Sequence, residues 1–366
     1  MTSRQRILNC IKRLPTDRIP ISSYEITGYN HATWYHKEKS YQNLLAHIRE
    51  KCDGICMWNP DYTYGDGIYS YNTYRSGNAS YTEIKMNLNG EIFTSKYNIQ
   101  DNVMTAWTTE HFLKDKNDIV RFMACELPMP DISMENLFQK QAEFGENGIM
   151  LISLDDPMCE AASLLGMELF MVTAMEEPEL MEKLIIKLYE RVLKSLKKIL
   201  SHDVTDIMFR ICGAEYCTPP YLPPSMFPVL ETPFLTEMCG MINRAGGISR
   251  VHSHGKVRHI LGEIVKTGAI CVDPLEPIPD GDISLEEVKA KYGGELVLMG
   301  NIELKELEVS PPDRIKQIVR ETVLTGKPGG GFILLPTATP INIPLSPKCE
   351  ENFIVMLDTA MEYGKY

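Results

Sequence analysis

Two histidines two residues apart, in Val251-His252-Ser253-His254-Gly255, are the sharpest chemical feature of this chain. Side chains on a strand alternate between faces, so His252 and His254 would point the same way, and Gly255 lets the backbone turn sharply after them. Paired neutral imidazoles suit Zn²⁺, and Glu215, closing the preceding apolar run, would add an oxygen ligand. The alternative is a polar mouth in which both rings only hydrogen-bond. Glu231 lies between Pro228 and Pro233 in a stretch, 225–245, that reads as a helix. Pro233 disfavours helical geometry just before it and loosens that first turn. Two readings stay open: Glu231 leans over the same mouth, or it is a solvated glutamate stabilised by the helix dipole.

Groups on separate runs meet only if the fold brings the ends of those runs together. Short apolar runs rich in β-branched residues occur at 19–25, 54–60, 148–156, 206–215, 248–255, 269–277, 295–303 and 331–338. Amphipathic stretches separate them, with Leu180, Leu184, Leu188, Val192, Leu196 and Leu200 at helical spacing in one. Eight such units predict a single-domain (β/α)₈ TIM barrel over 1–366, with an open doubly wound sheet as runner-up. Reactive groups in a barrel gather at the carboxyl ends of the strands. Here those ends carry Glu25, Asn59, Asp155-Asp156, Glu215, His252 with His254, Asp273 with Glu276, Asn301 with Glu303, and Thr337.

Residues 61–147 are too many for one crossover and predict an inserted cap over the mouth. Within it, 82–88, Asn89-Gly90 and 91–97 read as a β-hairpin with Met86 opposite Phe93. Just before the hairpin, Tyr62, Tyr64, Tyr69, Tyr71, Tyr74 and Tyr81 alternate with glycines. They either line an aromatic pocket beside a movable edge or lie buried in a fixed lid.

Composition narrows the function classes. The chain has 366 residues, with 37 Lys+Arg against 49 Asp+Glu and a net charge of −12, and no basic run, which disfavours nucleic acid. The uncharged stretch 328–347 holds five prolines and three glycines and cannot be a spanning helix. No signal-peptide core opens the chain, and ten cysteines without a C-x-x-C read as reduced thiols, so a soluble cytoplasmic protein is expected. Gly329-Gly330-Gly331 precedes its strand, so it is no phosphate cradle, and no G-x-S-x-G elbow is present.

Gly213-Ala214-Glu215-Tyr216, the 252–255 segment, Leu298-Met299-Gly300-Asn301-Ile302-Glu303 and 329–336 together resemble the uroporphyrinogen decarboxylase superfamily, best over 145–366. The resemblance implies a (β/α)₈ barrel and offers three branches. Its decarboxylases grip an acidic tetrapyrrole with arginines near the N-terminus, and the corresponding stretch 21–28 has none. Its methyl-cobamide:thiol methyltransferases hold zinc through H-x-C and a later cysteine, where this chain has His254 and Pro336-Thr337-Ala338. Its corrinoid-dependent O-demethylase methyltransferases, of methyltransferase I type, hold zinc through Glu, Glu and His. Glu215, Glu231 and His252 follow that order at gaps of fifteen and twenty residues, the first gap one longer than in the family pattern.

The resemblance therefore implies a zinc-dependent enzyme moving a methyl group from a methoxylated small molecule, an aryl methyl ether, to a corrinoid protein. Glu215, Glu231 and His252 are expected roughly 2.0–2.2 Å from one metal ion, with His254 in reserve. His254, Tyr216 and Asn301 are expected to orient or protonate the departing oxygen, and Glu25, Asn59, Asp155, Tyr69 and Tyr71 to bind substrate. Members of the superfamily often form homodimers. The competing readings are a metal-free decarboxylase-like lyase, a methyl-cobamide:thiol methyltransferase, and a ligand-binding barrel without catalysis.

Overall fold

β-Branched, apolar segments pair side by side wherever helices can cover both faces. In the computed structural model, which describes residues 1–366, β1 (Gly54–Met57) leads into the insert. The insert carries β2 (Asp61–Thr63), β3 (Tyr69–Ser76), β4 (Ala79–Leu88), β5 (Glu91–Gln100), β6 (Val103–Glu110) and β7 (Asp131–Ser133). Then β8 (Gly148–Asp155), β9 (Met208–Cys212), β10 (Ile248–Ser253), β11 (Cys271–Pro274), β12 (Val297–Ile302) and β13 (Phe332–Pro336) alternate with helices. β1 and β8 to β13 form one parallel sheet in the order β1-β8-β9-β10-β11-β12-β13.

The run expected as a strand at 19–25 is instead a short link between the two sheet edges. Ile21 bridges Leu334 of β13 in parallel, and its carbonyl accepts from the Asp53 N–H, beside β1, at 2.7 Å. Tyr24 has φ of 63°, and that left-handed backbone stops the extended run before it becomes a strand. Asp53 anchors the link, its buried carboxylate accepting from Arg6 at 2.5 Å, Arg18 at 2.6 Å and the Ile21 N–H at 3.0 Å. The architecture is therefore a curled seven-stranded parallel sheet, with the eighth expected run present as this bridge.

Two apolar regions flank the sheet. Ile55, Ile149, Leu151, Met208, Ile248 and Met299 belong to a small inner cluster. The larger one lies between sheet and helices, where the 23-residue helix Pro178–Leu200 buries Leu184, Leu188, Val192 and Leu196. Burial stabilises by about 1.5–3 kcal/mol for each such side chain. Above the inner cluster, register sets two polar rows. Ser153, Arg210, Arg250 and Cys271 are neighbours in the first, and Asp155, Cys212, His252 and Asp273 in the second, nearer the carboxyl ends.

In the insert, β3-β4-β5-β6 form an antiparallel sheet, larger than the single hairpin expected. Met86 does face Phe93, and Asn89 and Gly90 both have positive φ, as a tight two-residue turn demands. The turn end lies against the helix Lys116–Ala124, where Phe93 meets Phe122 edge-on and Arg121 pairs with Glu91 at 2.5 Å. The far end is tied to the segment after β13 by Met104 N–H to the Ile341 carbonyl at 2.8 Å. No single helix is long and apolar enough to cross a membrane.

Candidate functional site at the carboxyl ends of the strands

His252 ends up in the upper polar row because β10 pairs it with Asp273 of β11. Its Nδ1 lies 3.0 Å from Asp273 Oδ2, which leaves Nε2 as the ring nitrogen free for other partners. Arg250 grips the same carboxylate with Nε and Nη2, both at 2.5 Å. Burial alone would raise the pKa of Asp273; the charges and hydrogen bonds of Arg250 and His252 outweigh it and hold the carboxyl far below its ordinary range. His254 stands edge-on to His252 with centroids 4.7 Å apart, and its Nδ1 is 2.7 Å from Glu276 Oε1. Burial lowers the His254 pKa, but the Glu276 hydrogen bond and the charges of Glu276, Glu215 and Asp273 raise it overall.

The carboxylates come from the neighbouring segments. Glu215 sits in a 3₁₀ turn, Ala214–Cys217, and accepts from the Gly213 N–H at 3.1 Å. Glu231 falls at the break between the short helix Phe227–Leu230 and the helix Thr232–Arg244, with a non-helical φ of −128°. The proline-loosened turn therefore turns Glu231 inward. It is 0% exposed, which excludes the solvated alternative, and apart from the Asp156 carboxyl neither of its oxygens has a hydrogen-bond partner. Asp156 is also fully buried. It caps the helix Pro157–Leu165 by accepting from Cys159 N–H at 2.9 Å, while its Oδ2 has no partner beyond the Glu231 carboxyl.

Burial, then the charge of Asp156, raises the pKa of Glu231 well above the carboxylate range. Burial raises that of Asp156 to about 7, with Glu215 adding to the rise and Glu231 opposing it. Orphaned carboxylate oxygens in a dry interior are costly unless protonated or bound to a cation. The donor set, carboxylates plus the free His252 Nε2, is one that zinc accepts. No three His, Cys, Asp or Glu side chains are gathered into a coordination shell. Glu215 acts electrostatically on both Glu231 and His254, but Glu215, Glu231 and His252 do not converge on a single point as expected.

The remaining expected residues divide. Tyr216 is half-buried against Phe170 and Tyr221, and burial, then Cys159, Glu215 and Asp155, raises its hydroxyl pKa. Glu25 accepts from Arg210 at 2.6 Å. Asn59 accepts from the Ser153 N–H at 2.8 Å. Asp155 opens to solvent at the rim, and the protein enclosing its other sides raises its pKa by burial. Asn301 faces the other way, its Oδ1 accepting from Thr322 at 3.4 Å in a cavity of about 350 Å³ beside the helix Pro312–Gly326. Tyr69 packs edge-on against Tyr64, and Tyr71 is 66% exposed.

Several residues at the mouth had not been singled out. Arg250 is two before His252, so the alternation that pairs the histidines also places Arg250 on their face. Arg210 joins it through register, and both guanidinium groups lie over Tyr24, at 5.8 and 5.7 Å. A cavity of about 470 Å³ opens beside Glu25 and Met57, walled by Trp34, Trp58 and Asn59. No spacing signal marks those tryptophans, because they lie on irregular segments.

A family model described as Uroporphyrinogen decarboxylase (URO-D) matches residues 153–346. No curated protein matches the chain by sequence. Among solved structures, a methyltransferase from Methanosarcina mazei shares the fold, with a TM-score of 0.65 at 16% identity over 99% of each chain. The family match spans more than half of the sequence and takes in the histidine pair, Glu215, Glu231 and the strands that carry them. On that ground the chain belongs to the uroporphyrinogen decarboxylase family.

Proposed function

We propose that this protein is a methyltransferase that moves a methyl group from a methoxylated small molecule, an aryl methyl ether, to a corrinoid protein. The observation that carries this reading is Glu231, a fully buried carboxyl whose side-chain partner is the equally buried carboxyl of Asp156. Such a buried pair needs a cation or a shared proton, and the charge of Glu215 acts on it. Zinc held by Glu215, Glu231 and His252 would supply Lewis acidity at the ether oxygen. The family membership and the fold shared with a methyltransferase are consistent with this.

The chain's own residues have separable tasks in this scheme. Asp273 fixes the His252 ring through Nδ1 and is itself fixed by Arg250, so the imidazole keeps one orientation. His254, whose pKa Glu276 raises, would donate a proton to the oxygen left behind as the methyl group passes to the acceptor. Beside Glu25, Trp34 and Trp58 wall a cavity of about 470 Å³, ample for a small aryl ether, though its lining does not include Glu215, Glu231 or the histidine pair.

One observation counts against decarboxylation of an acidic tetrapyrrole. Both mouth arginines are already spent, Arg210 on Glu25 and Arg250 on Asp273. Neither guanidinium is free to grip a substrate carboxylate. The decisive experiment combines zinc analysis of the purified protein with an assay of methyl transfer from an aryl methyl ether to added corrinoid protein. Chelator-sensitive transfer is expected. Protein that binds no zinc and transfers no methyl group would sink the proposal.

A further inference from the structure

We infer that the cavity between β2 and the helix Pro178–Leu200 is a subsite for a positively charged nitrogen, so that the methyl donor is a methoxylated aryl compound carrying an ammonium group. The donor's identity rests on the proposed methyl transfer; the subsite does not.

Aromatic rings and one uncompensated carboxylate make the subsite. The cavity, of about 260 Å³, is walled on the insert side by Tyr62 and Tyr64 and on the sheet side by Asn59, Asp155, Glu160 and Arg191. Tyr62 lies in β2 and Tyr64 just after it, two residues apart on an extended segment, so both rings turn to one face. Tyr69 packs edge-on against Tyr64, with centroids 5.0 Å apart, and braces that ring. Tyr62 and Tyr64 are 39% and 37% exposed, which leaves ring surface open to a ligand. The face of an aromatic ring attracts a cation through its quadrupole.

Charge gives the sign of the ligand. Two arginine charges reach Asp155, those of Arg210 and Arg191. Arg210 pairs with Glu25 at 2.6 Å and Arg191 with Glu160 at 2.7 Å. Three carboxylates therefore share two guanidinium groups, and Asp155 is the one left without an ion pair. Burial raises its pKa despite both arginines and the Cys159 thiol, a desolvation cost that a bound cation would relieve. Asp155 also belongs to the histidine row: β8 pairs it with Cys212, and β9 pairs Cys212 with His252. Asn59 lines both this cavity and the one walled by Trp34 and Trp58, so the two are neighbours. An aryl ring in the larger cavity would thus have its ammonium substituent beside Asp155. The competing account is a solvent-filled seam between insert and sheet.

Calorimetric binding to the full chain separates these accounts with three aryl methyl ethers of similar size. They are methoxyphenethylamine, protonated at neutral pH, the neutral methoxyphenethyl alcohol, and the anionic methoxyphenylacetate. The amine is expected to bind about tenfold tighter than the alcohol, and the carboxylate weakest of the three. Asp155→Asn should erase the preference for the amine and leave the affinity for the alcohol unchanged. Tyr62→Ala should weaken the amine more than the alcohol, whereas Tyr62→Phe, which keeps the ring, should retain the preference. Thermal melts matching wild type guard against misfolding of these variants. Absence of the preference in wild type, or its survival in Asp155→Asn, would overturn the inference and leave the proposed methyl transfer standing. Selective binding of the amine without methyl transfer to added corrinoid protein would keep the subsite and sink the proposed function, with the donor it implies.

Discussion

Protonation of His254 is governed by Glu276, whose Oε1 lies 2.7 Å from the ring nitrogen. The His254 pKa is raised from 6.5 on balance, because burial opposes but the Glu276 hydrogen bond and charge prevail. Its contribution to stability is whole below pH 6.5 and fades as pH climbs through the higher folded value. The pKa of Glu276 is lowered from 4.5, since burial is outweighed by its bonds to His254 and Gly255. It contributes above pH 4.5 and is lost as pH falls through its lower folded value. Glu276→Gln should therefore bring the His254 titration down, visible in the NMR shifts of its ring protons, and move the alkaline limb of any turnover profile to lower pH. An unmoved titration would show that Glu276 does not control the proton. Asp273→Asn is a harsher change, because it leaves the buried Arg250 guanidinium without its charge partner. A loss of about 3–5 kcal/mol is expected in chemical denaturation. The histidine pair and Glu215 were legible in the sequence because strand alternation and strand ends are local rules. Glu231 was ambiguous, since its direction depends on how a proline-loosened turn settles against the barrel. Asp156, before Pro157, carries the local signature of a helix cap, and it is one. Its pairing with the Glu231 carboxyl emerges only when that glutamate arrives from elsewhere in the chain.

The four-stranded sheet of the insert shows the same division among elements. Its inner hairpin could be read because Asn89-Gly90 specifies the turn and Met86 and Phe93 mark one buried face. β3 and β6 escaped notice because they are mostly exposed, so neither has the polar–apolar alternation that signals a strand. The sheet is latched to the helix Lys116–Ala124 through the Phe93–Phe122 contact. Phe93→Ala should cost about 3–5 kcal/mol locally. Limited proteolysis should then cut within 79–100, while amides of β8 to β13 keep their hydrogen-exchange protection. Loss of protection throughout the parallel sheet would instead make the insert part of the main cooperative unit. The regular part of the fold was easier to foresee. Seven of the expected apolar runs are strands, since buried parallel strands are continuous in hydrophobicity and short.

At the scale of the whole molecule, the seam at Ile21 could not be read from sequence, because the left-handed backbone at Tyr24 shortens an apolar run that looks like any other. Asp53 holds that seam by taking both Arg6 and Arg18. Asp53→Ala should leave the largely buried Arg18 guanidinium without a carboxylate, Arg6 keeping Asp17, and cost roughly 3–5 kcal/mol. Amide exchange should accelerate first at Ser22 and Leu334, which bond across the seam. Uniform acceleration over every strand would argue that the seam is not a separate weak point. The seam also sets a timetable for synthesis. Ile21 meets Leu334, so roughly 300 residues separate the partners and, at about 5–20 residues per second, some 15–60 s pass between their emergence. During that interval the first-made segment has no partner strand, and the nascent sheet presents a bare edge of the sort that invites pairing with other chains. Protection of that edge on the ribosome, by a chaperone or by the helices already made, is therefore a requirement that the finished sheet no longer displays.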